Sequence, residues 1–241
     1  MNGSNGRRRG DAILSPELVP SASAPADGPK VGVLALQGDF REHRQVLAKL
    51  GVASREVRTL NELEQVEALI IPGGESTTIG KLMRQLGLLD AIRSRARAGM
   101  PIFGTCAGLI TLAKSTAEGD QPLLGLADVV VRRNAFGRQL HSFEADLTVA
   151  GLGPKPVHGI FIRAPWIERA GPAVEVLATY QGHIVAARQG NILLTAFHPE
   201  LTSDTRMHEL FVRIVREQRR SSGGGANPGE TRGGVVEEVV R

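Results

Sequence analysis

Residues 101–114 read Pro-Ile-Phe-Gly-Thr-Cys-Ala-Gly-Leu-Ile-Thr-Leu-Ala-Lys. Residues 101–104 form a short apolar run between Pro101 and Gly104, the pattern of a buried strand. Residues 106–114 continue as a helix. Between them lies Gly104-Thr105-Cys106-Ala107-Gly108, a Gly-x-nucleophile-x-Gly elbow. The turn from strand to helix is sharp enough to strain its central residue, and the flanking glycines leave room for the backbones to close. A strand feeding straight into a helix is half of a βαβ unit. This stretch therefore points to an α/β chain whose mostly parallel sheet is covered on both faces.

The same alternation extends upstream. Residues 31–36 (VGVLAL) and 52–57 read as strands, and 68–71 (ALII) as a third, stopped by Pro72-Gly73-Gly74. Asp39 is placed to cap a helix reaching Leu50, with Phe40, Val46, Leu47 and Leu50 on one face and Gly51 at its end. Ser76 or Thr77 caps a helix through Leu86, and 88–98 is another, ended by Gly99. Downstream the pattern changes. Residues 129–132, 142–149, 157–162, 174–180, 183–188 and 192–197 are successive strands, with Gln181-Gly182 as a hairpin turn. Residues 205–219 form a final amphipathic helix with Met207, Leu210, Phe211, Ile214 and Val215 inward. The expected architecture is a central parallel sheet with a β-rich extension.

The 241 residues suit one domain with a sizeable core. Gly, Ser, Pro and Ala dominate 1–29, and 221–241 opens Ser-Ser-Gly-Gly-Gly. Both read as disordered, leaving a folded unit at 30–220. Aromatics make up only 4%, so the core rests on Leu, Val, Ile and Ala. The formal charge of +4 is carried largely by termini: Arg7, Arg8 and Arg9 at one end, Arg213, Arg216, Arg219 and Arg220 near the other. No aromatics are interleaved with them, which argues against nucleic acid. A lone cysteine rules out an intramolecular disulfide and suits a reducing cytoplasm. There is no signal-peptide pattern, and no apolar run approaches the roughly 18 residues of a membrane helix.

Cys106 at the start of a helix is a candidate nucleophile. The helix terminus favours its thiolate, and the Ala107 N–H is placed to hold an oxyanion. A nucleophile needs an oriented base. Among six histidines, His198 ends the strand ILLTAF and precedes Pro199-Glu200. Pro199 biases it toward extended backbone, where positions i and i+2 share a side, so Glu200 can orient its ring. His43, on a polar helix face, and His208, on the final helix, read as bland, as do His141, His158 and His183, which lack an evident carboxylate partner. No further Cys or His stands at ligand spacing, so no metal is expected. The third element, Pro72-Gly73-Gly74-Glu75-Ser76, follows a parallel strand at the edge where such sheets bind ligands. It lacks the Gly-Lys-Ser/Thr of a phosphate loop.

Taken together, PGGEST (72–77), GTCAGLI (104–110), RNAFGRQ (133–139), SFEADL (142–147), FIRAP (161–165) and HPEL (198–201) resemble the glutaminase subunits of pyridoxal 5'-phosphate synthase. These are class I, triad-type glutamine amidotransferases, and the resemblance spans about residues 31–217. It implies a three-layer, flavodoxin-like α/β fold with no cofactor. It also implies Cys106, His198 and Glu200 as the triad; Gly73, Gly74, Glu75, Arg133, Ile162 and Arg163 as the L-glutamine site; and Gly74 and Ala107 as the oxyanion hole. The implied partner is a (β/α)8-barrel synthase subunit, in a complex of twelve chains of each kind. That partner receives the ammonia and makes pyridoxal 5'-phosphate from ribose 5-phosphate and glyceraldehyde 3-phosphate. The resemblance says nothing of either terminus. Two alternatives stay open on the residues alone: an amidotransferase subunit of another pathway, or a flavodoxin-like module whose cysteine senses oxidants.

Overall fold

The computed structural model describes residues 28–136 and 142–223. Residues 1–27 of the leader, residues 137–141 (which hold the Gly-Arg-Gln of the FGRQ segment and His141) and the tail beyond 223 lie outside the described residues. Five strands form a parallel half: β1 (Val31–Leu34), β2 (Ser54–Val57), β3 (Ala68–Ile71), β4 (Ile102–Thr105) and β12 (Ile192–Thr195). Their order is β2-β1-β3-β4-β12, all in parallel register. The order reverses between β1 and β3, which opens a crevice at the carboxyl ends of the strands.

The helices are α1 (Phe40–Lys49), α2 (Leu60–Glu64), α3 (Ser76–Gln85), α4 (Leu88–Arg97), α5 (Ala107–Leu112) and α6 (Arg206–Gly223). Two hydrophobic clusters lie on opposite faces of the sheet. Val31, Val33, Ile70 and Phe103 pack toward α1 and α6; Leu34, Leu69, Ile71 and Ile102 pack toward α3, α4 and α5. Strand side chains alternate between faces, so a run such as ALII feeds both cores. Each fully buried Leu, Ile or Phe contributes roughly 1.5–3 kcal/mol.

Beyond β12 the sheet becomes antiparallel, through β11 (His183–Gln189), β9 (Trp166–Ala170) and β6 (Ala127–Arg132), and ends on β5 (Ala113–Thr116), which is parallel to β6; β10 (Glu175–Tyr180) pairs antiparallel with β11. A separate hairpin, β7 (Ser142–Leu147) with β8 (Val157–Ile162), lies beside it. Phe143 stacks on Phe161 with centroids 4.5 Å apart, and Tyr180 stacks on Phe143 at 5.2 Å. The scarce aromatics are thus spent on docking this hairpin.

Several expectations are corrected. The helix after Cys106 ends at Leu112, because Ala113 turns extended (φ −60°, ψ 153°) and pairs as β5. Strand β12 ends at Thr195, and His198 precedes a 3-10 turn, Pro199–Leu201, instead of ending a strand. Asp39 occupies the N-cap of α1 but makes no side-chain cap. Glu75, not Ser76 or Thr77, caps α3, accepting from the Thr77 and Thr78 N–H groups. Helix α6 runs four residues past the expected helix end at 219, through Gly223, and so past the expected domain boundary at 220. The short helix α2, unexpected from the sequence, is announced by a capping box in which Thr59 and Glu62 satisfy each other's backbone N–H. Gln181 (φ 48°) and Gly182 (φ 80°) form the expected turn of the β10–β11 hairpin. No helix among the described residues is long and apolar enough to cross a membrane.

Candidate active site

Four neighbouring parallel strands deliver the site at their carboxyl ends. Gln37 and Asp39 follow β1, Gly73 to Glu75 follow β3, Cys106 follows β4, and His198 follows β12. Cys106 has φ 48° and ψ −101°, a left-handed conformation costly to a side chain with a Cβ. It is held there by its N–H, which donates to Thr195 O at 2.8 Å, and by its carbonyl, which accepts from Ile110 N at 3.2 Å. The glycines explain themselves sterically. A Cβ on Gly104 would meet the Gly108 carbonyl carbon at 2.7 Å, and one on Gly108 would run into the Ile71 carbonyl.

His198 and Glu200 lie beside it, both nearly buried. His198 Nδ1 is 2.8 Å from Glu200 Oε1, the length of a charge-assisted hydrogen bond. Asp39 Oδ2 stands 3.4 Å from the same nitrogen. The His198 N–H donates to Ile160 O at 2.8 Å, which ties the β8 hairpin to the site. A Cβ on Gly73 would strike His198 Cε1, so Gly73 serves as the floor beneath the imidazole. Burial pushes the His198 pKa down. Hydrogen bonds with Asp39, Cys106 and Glu200, and the charge on Cys106, outweigh it and raise it to about 12. Burial pushes the Glu200 carboxyl above the ordinary range, against the pull of His198. Such surroundings favour the imidazolium form of His198. Asp39, His198 and Glu200 also offer ligand atoms within 4.8 Å of one another. The 2.8 Å hydrogen bond already engages His198 Nδ1 and Glu200 Oε1.

These groups open on a cavity of about 310 Å³ lined by Gly74, Glu75, Cys106, Arg133, Ile162 and Arg163, with Gln37, Asp39, Ser76, Ile110, Asn134 and His198. Ile162 presents its carbonyl to the thiol, Sγ to O 3.8 Å. Arg163 has φ 44° and Asn134 φ 42°, strained conformations at the rim. Arg133 Nη1 donates to Gln121 Oε1 at 3.0 Å, and its Nη2 lies 3.5 Å from Glu75 Oε1. Burial raises the Glu75 pKa, but hydrogen bonds from Thr78 and Thr77 more than offset it, so Glu75 is ionised as it caps α3. Gly74 (φ 150°) packs against Gln37, whose Oε1 accepts from Glu75 N at 2.7 Å. The Gly73 carbonyl accepts from Asp39 N at 3.2 Å. The structure thus gathers Gly74, Glu75, Arg133, Ile162 and Arg163 around Cys106 and His198. Gly73 lies behind His198, and Ala107 opens α5 beside the cysteine.

Sequence reasoning missed Asp39 and Gln121 here, and misread two histidines, His43 and His158. His43 is fully buried instead of lying on a polar face, and His208 is fully buried on the final helix. His43 falls on the apolar stripe of α1 with Phe40, Val46 and Leu47, a spacing visible in the sequence. His158 does have carboxylate partners, Asp146 directly across the β7–β8 ladder and Glu144 two residues along.

A model of the SNO glutamine amidotransferase family matches residues 33–217. The pyridoxal 5'-phosphate synthase subunit PdxT of Herpetosiphon aurantiacus is 62% identical over 188 residues, covering 76% of this chain and 99% of that protein. The protein of the same name from Frankia alni is 57% identical over 200 residues, 82% and 98% of the two chains. A solved glutamine amidotransferase structure superposes with a TM-score of 0.74 at 53% identity, over 77% of this chain and 98% of that one. The structure of PurLQS from Thermotoga maritima, at 17% identity and TM-score 0.53 over 81% of this chain and 99% of that one, shares the fold. The chain belongs to the SNO glutamine amidotransferase family.

Proposed function

We propose that this chain is the glutaminase subunit of a pyridoxal 5'-phosphate synthase, hydrolysing L-glutamine and passing ammonia to a synthase partner for vitamin B6 synthesis. The observation that carries the reading is the strained Cys106 elbow facing a buried His198–Glu200 pair across one cavity. The names of its relatives point the same way.

In the proposed reaction the Cys106 thiolate attacks the side-chain amide carbon of glutamine, forming a C–S bond. The oxyanion rests on the N–H groups of Gly74 and Ala107. His198, as imidazolium, gives its Nε2 proton to the departing nitrogen; the C–N bond breaks, ammonia leaves, and a γ-glutamyl thioester remains. Neutral His198 then takes a proton from water as that water attacks. The C–S bond breaks, releasing glutamate and restoring the thiolate–imidazolium pair. Glu200 orients the ring and balances its charge throughout. Glu75, Arg133, Arg163 and the Ile162 carbonyl hold the amino-acid end. A guanidinium matches the α-carboxylate, and a carboxylate or carbonyl matches the α-ammonium.

The partner in this proposal is a (β/α)8 barrel, in an assembly of twelve chains of each kind, and the setting is a reducing cytoplasm. The 73–74 peptide offers a coupling device. Its plane is fixed by the Asp39 N–H and its position by Gln37, so a partner touching the segment after β1 reorients the Gly74 N–H. Gln37→Ala is expected to blunt stimulation by the partner; unchanged docking and stimulation would remove that device. Glutamine hydrolysis, assayed with and without the barrel subunit, tests the whole reading. Wild type is expected to turn over when docked and Cys106→Ala to show only background. Hydrolysis that survives in Cys106→Ala defeats the proposal.

A further inference from the structure

Behind Glu200, on the side away from His198, lies a buried polar chain that the proposed reaction does not use. Glu200 Oε1 faces His198, whereas Oε2 is buried and has no aligned hydrogen bond among the described residues. Beside it, at 3.4 Å, stands Nε2 of His43 from α1. That nitrogen also lies 3.1 Å from Thr105 Oγ1, at the end of β4 and next to Cys106. The opposite nitrogen, Nδ1, is 2.9 Å from Nε2 of His208 on α6, and both rings are fully buried. Phe103 closes the cluster, edge-on to both rings at 6.3 and 5.7 Å.

A neutral imidazole has one N–H and one lone pair, so the chain has two possible directions. If His43 carries its hydrogen on Nδ1, it donates to His208. The Nδ1–H of His208 is then a buried donor with no partner among the described residues, and Glu200 Oε2 faces a lone pair. If His43 carries its hydrogen on Nε2, it donates toward Glu200 Oε2 and Thr105, and its Nδ1 accepts from His208 Nε2–H. The unmatched groups are then the Nδ1 lone pair of His208 and the Thr105 O–H, which must turn away from the His43 nitrogen; a neutral lone pair and a rotatable hydroxyl are a lesser cost than a fixed N–H donor plus a carboxylate oxygen. Burial, with the charges of His208 and His198, keeps His43 well below the ordinary histidine pKa, and burial takes His208 down to about 3. Both rings are therefore neutral, as this argument requires. The groups facing His43 are Glu200 and His198 on one side and His208 on the other.

We propose that His43 is a positioning residue for the triad: its Nε2–H is directed at Glu200 Oε2, and His208 fixes the tautomer that makes this possible. The carboxylate then meets a donor at each oxygen, hydrogen-bonded to His198 in front and faced by His43 at 3.4 Å behind. The polar chain runs from α6 through α1 to the nucleophile. Neither histidine touches the substrate cavity, so their contribution acts on turnover rather than on binding. This inference rests on the glutaminase reading for its kinetic test but not for its spectroscopic one.

Two measurements decide it. In 15N-histidine NMR of the wild-type chain, His43 and His208 are both expected as Nε2–H tautomers at neutral pH. An Nδ1–H tautomer of His43 overturns the proposal, whatever the enzyme does. The second compares His43→Gln with His43→Asn in the docked complex. Gln returns an amide donor at the Nε2 position, toward Glu200; Asn returns one at the Nδ1 position, toward His208. Gln is expected to keep kcat within a few-fold, and Asn to lose about 10- to 100-fold, the scale on which a displaced catalytic group costs rate. KM for glutamine should change little in either. With the donor gone, the Glu200 carboxyl is harder to ionise, so the acid limb of kcat should move to higher pH in Asn and stay in place in Gln. Equal kcat and acid limbs in the two variants, or an Asn variant that outperforms Gln, overturn the inference while wild-type activity leaves the glutaminase reading intact. An inactive wild type counts against that reading alone, because the tautomer result still stands.

Discussion

The parallel half of the molecule and its antiparallel extension build the two sides of one cavity by different means. In the parallel half, chemistry follows topology. Four adjacent strands end at one edge, and each sends a loop to the same point, so Gly74, Cys106 and His198 converge without long-range adjustment. In the extension the site residues sit in bends between strands, at strained Asn134 and Arg163, and their placement depends on the Phe143–Phe161–Tyr180 stack that seats a separate hairpin. On the proposed reading one half supplies the reacting atoms on a rigid edge, together with Glu75 as a binding side chain, and the other supplies the remaining walls. The expected kinetic consequence is a division of labour in which, Glu75 apart, damage to the parallel half lowers kcat and damage to the extension raises KM.

The sharpest challenge to that division is Glu200→Gln. It keeps the shape and removes the charge, so kcat is expected to fall by about 10² to 10⁴ with glutamine still bound. A rise in KM with kcat intact would place Glu200 on the wall side. Gly108→Ala comes next. Its Cβ meets the Ile71 backbone carbonyl, so β3 and the elbow must part. Denaturation should show a loss of about 1–3 kcal/mol, with reduced kcat even in the folded fraction. Wild-type stability and rate together would mean that the elbow is not closed as described. On the other side, Arg133→Ala and Arg163→Ala should each raise KM by about 10- to 100-fold, the scale of one hydrogen bond to a charged group, with smaller effects on kcat. A pure kcat defect would erase the comparison.

The smallest expected effect belongs to the outer hairpin. Asp146 and Glu144 hold the His158 pKa above 6.5 although the ring is largely exposed. A raised folded pKa stabilises fully below the unfolded value and is lost as pH rises through the folded one. Wild type should therefore exceed His158→Gln in Tm by a small margin below about pH 6, and the margin should close at alkaline pH. A margin that grows with pH would reverse the assigned pairing.

Much of this was legible in the residues, and the split again follows the two halves. Apolar runs that punctuate at Gly or Pro give β1, β3 and β4, because a strand buried on both faces admits little else. The elbow declares itself through Gly104 and Gly108, and the His198–Glu200 pair through its two-residue step, although a 3-10 turn rather than a strand brings the two together. Strand β9, WIERA, has no clean alternation and follows a proline, so only its pairing with β6 and β11 defines it. Asp39 carried a correct positional signal for the N-cap but a different job, since His198 draws its carboxylate away from the helix. His43 and His208 lie 165 residues apart. Each sits at core spacing on its own helix, but that they meet is a tertiary fact.

The central claim is that Cys106 forms a covalent bond to glutamine while held by His198 and Glu200. Its most direct test is mass spectrometry of the chain quenched with acid during turnover in the docked complex. A γ-glutamyl adduct on the peptide containing Cys106, present with glutamine and absent from Cys106→Ala, is the predicted result. Ammonia release at full rate with no adduct on that peptide, under conditions that preserve thioesters, would contradict the account.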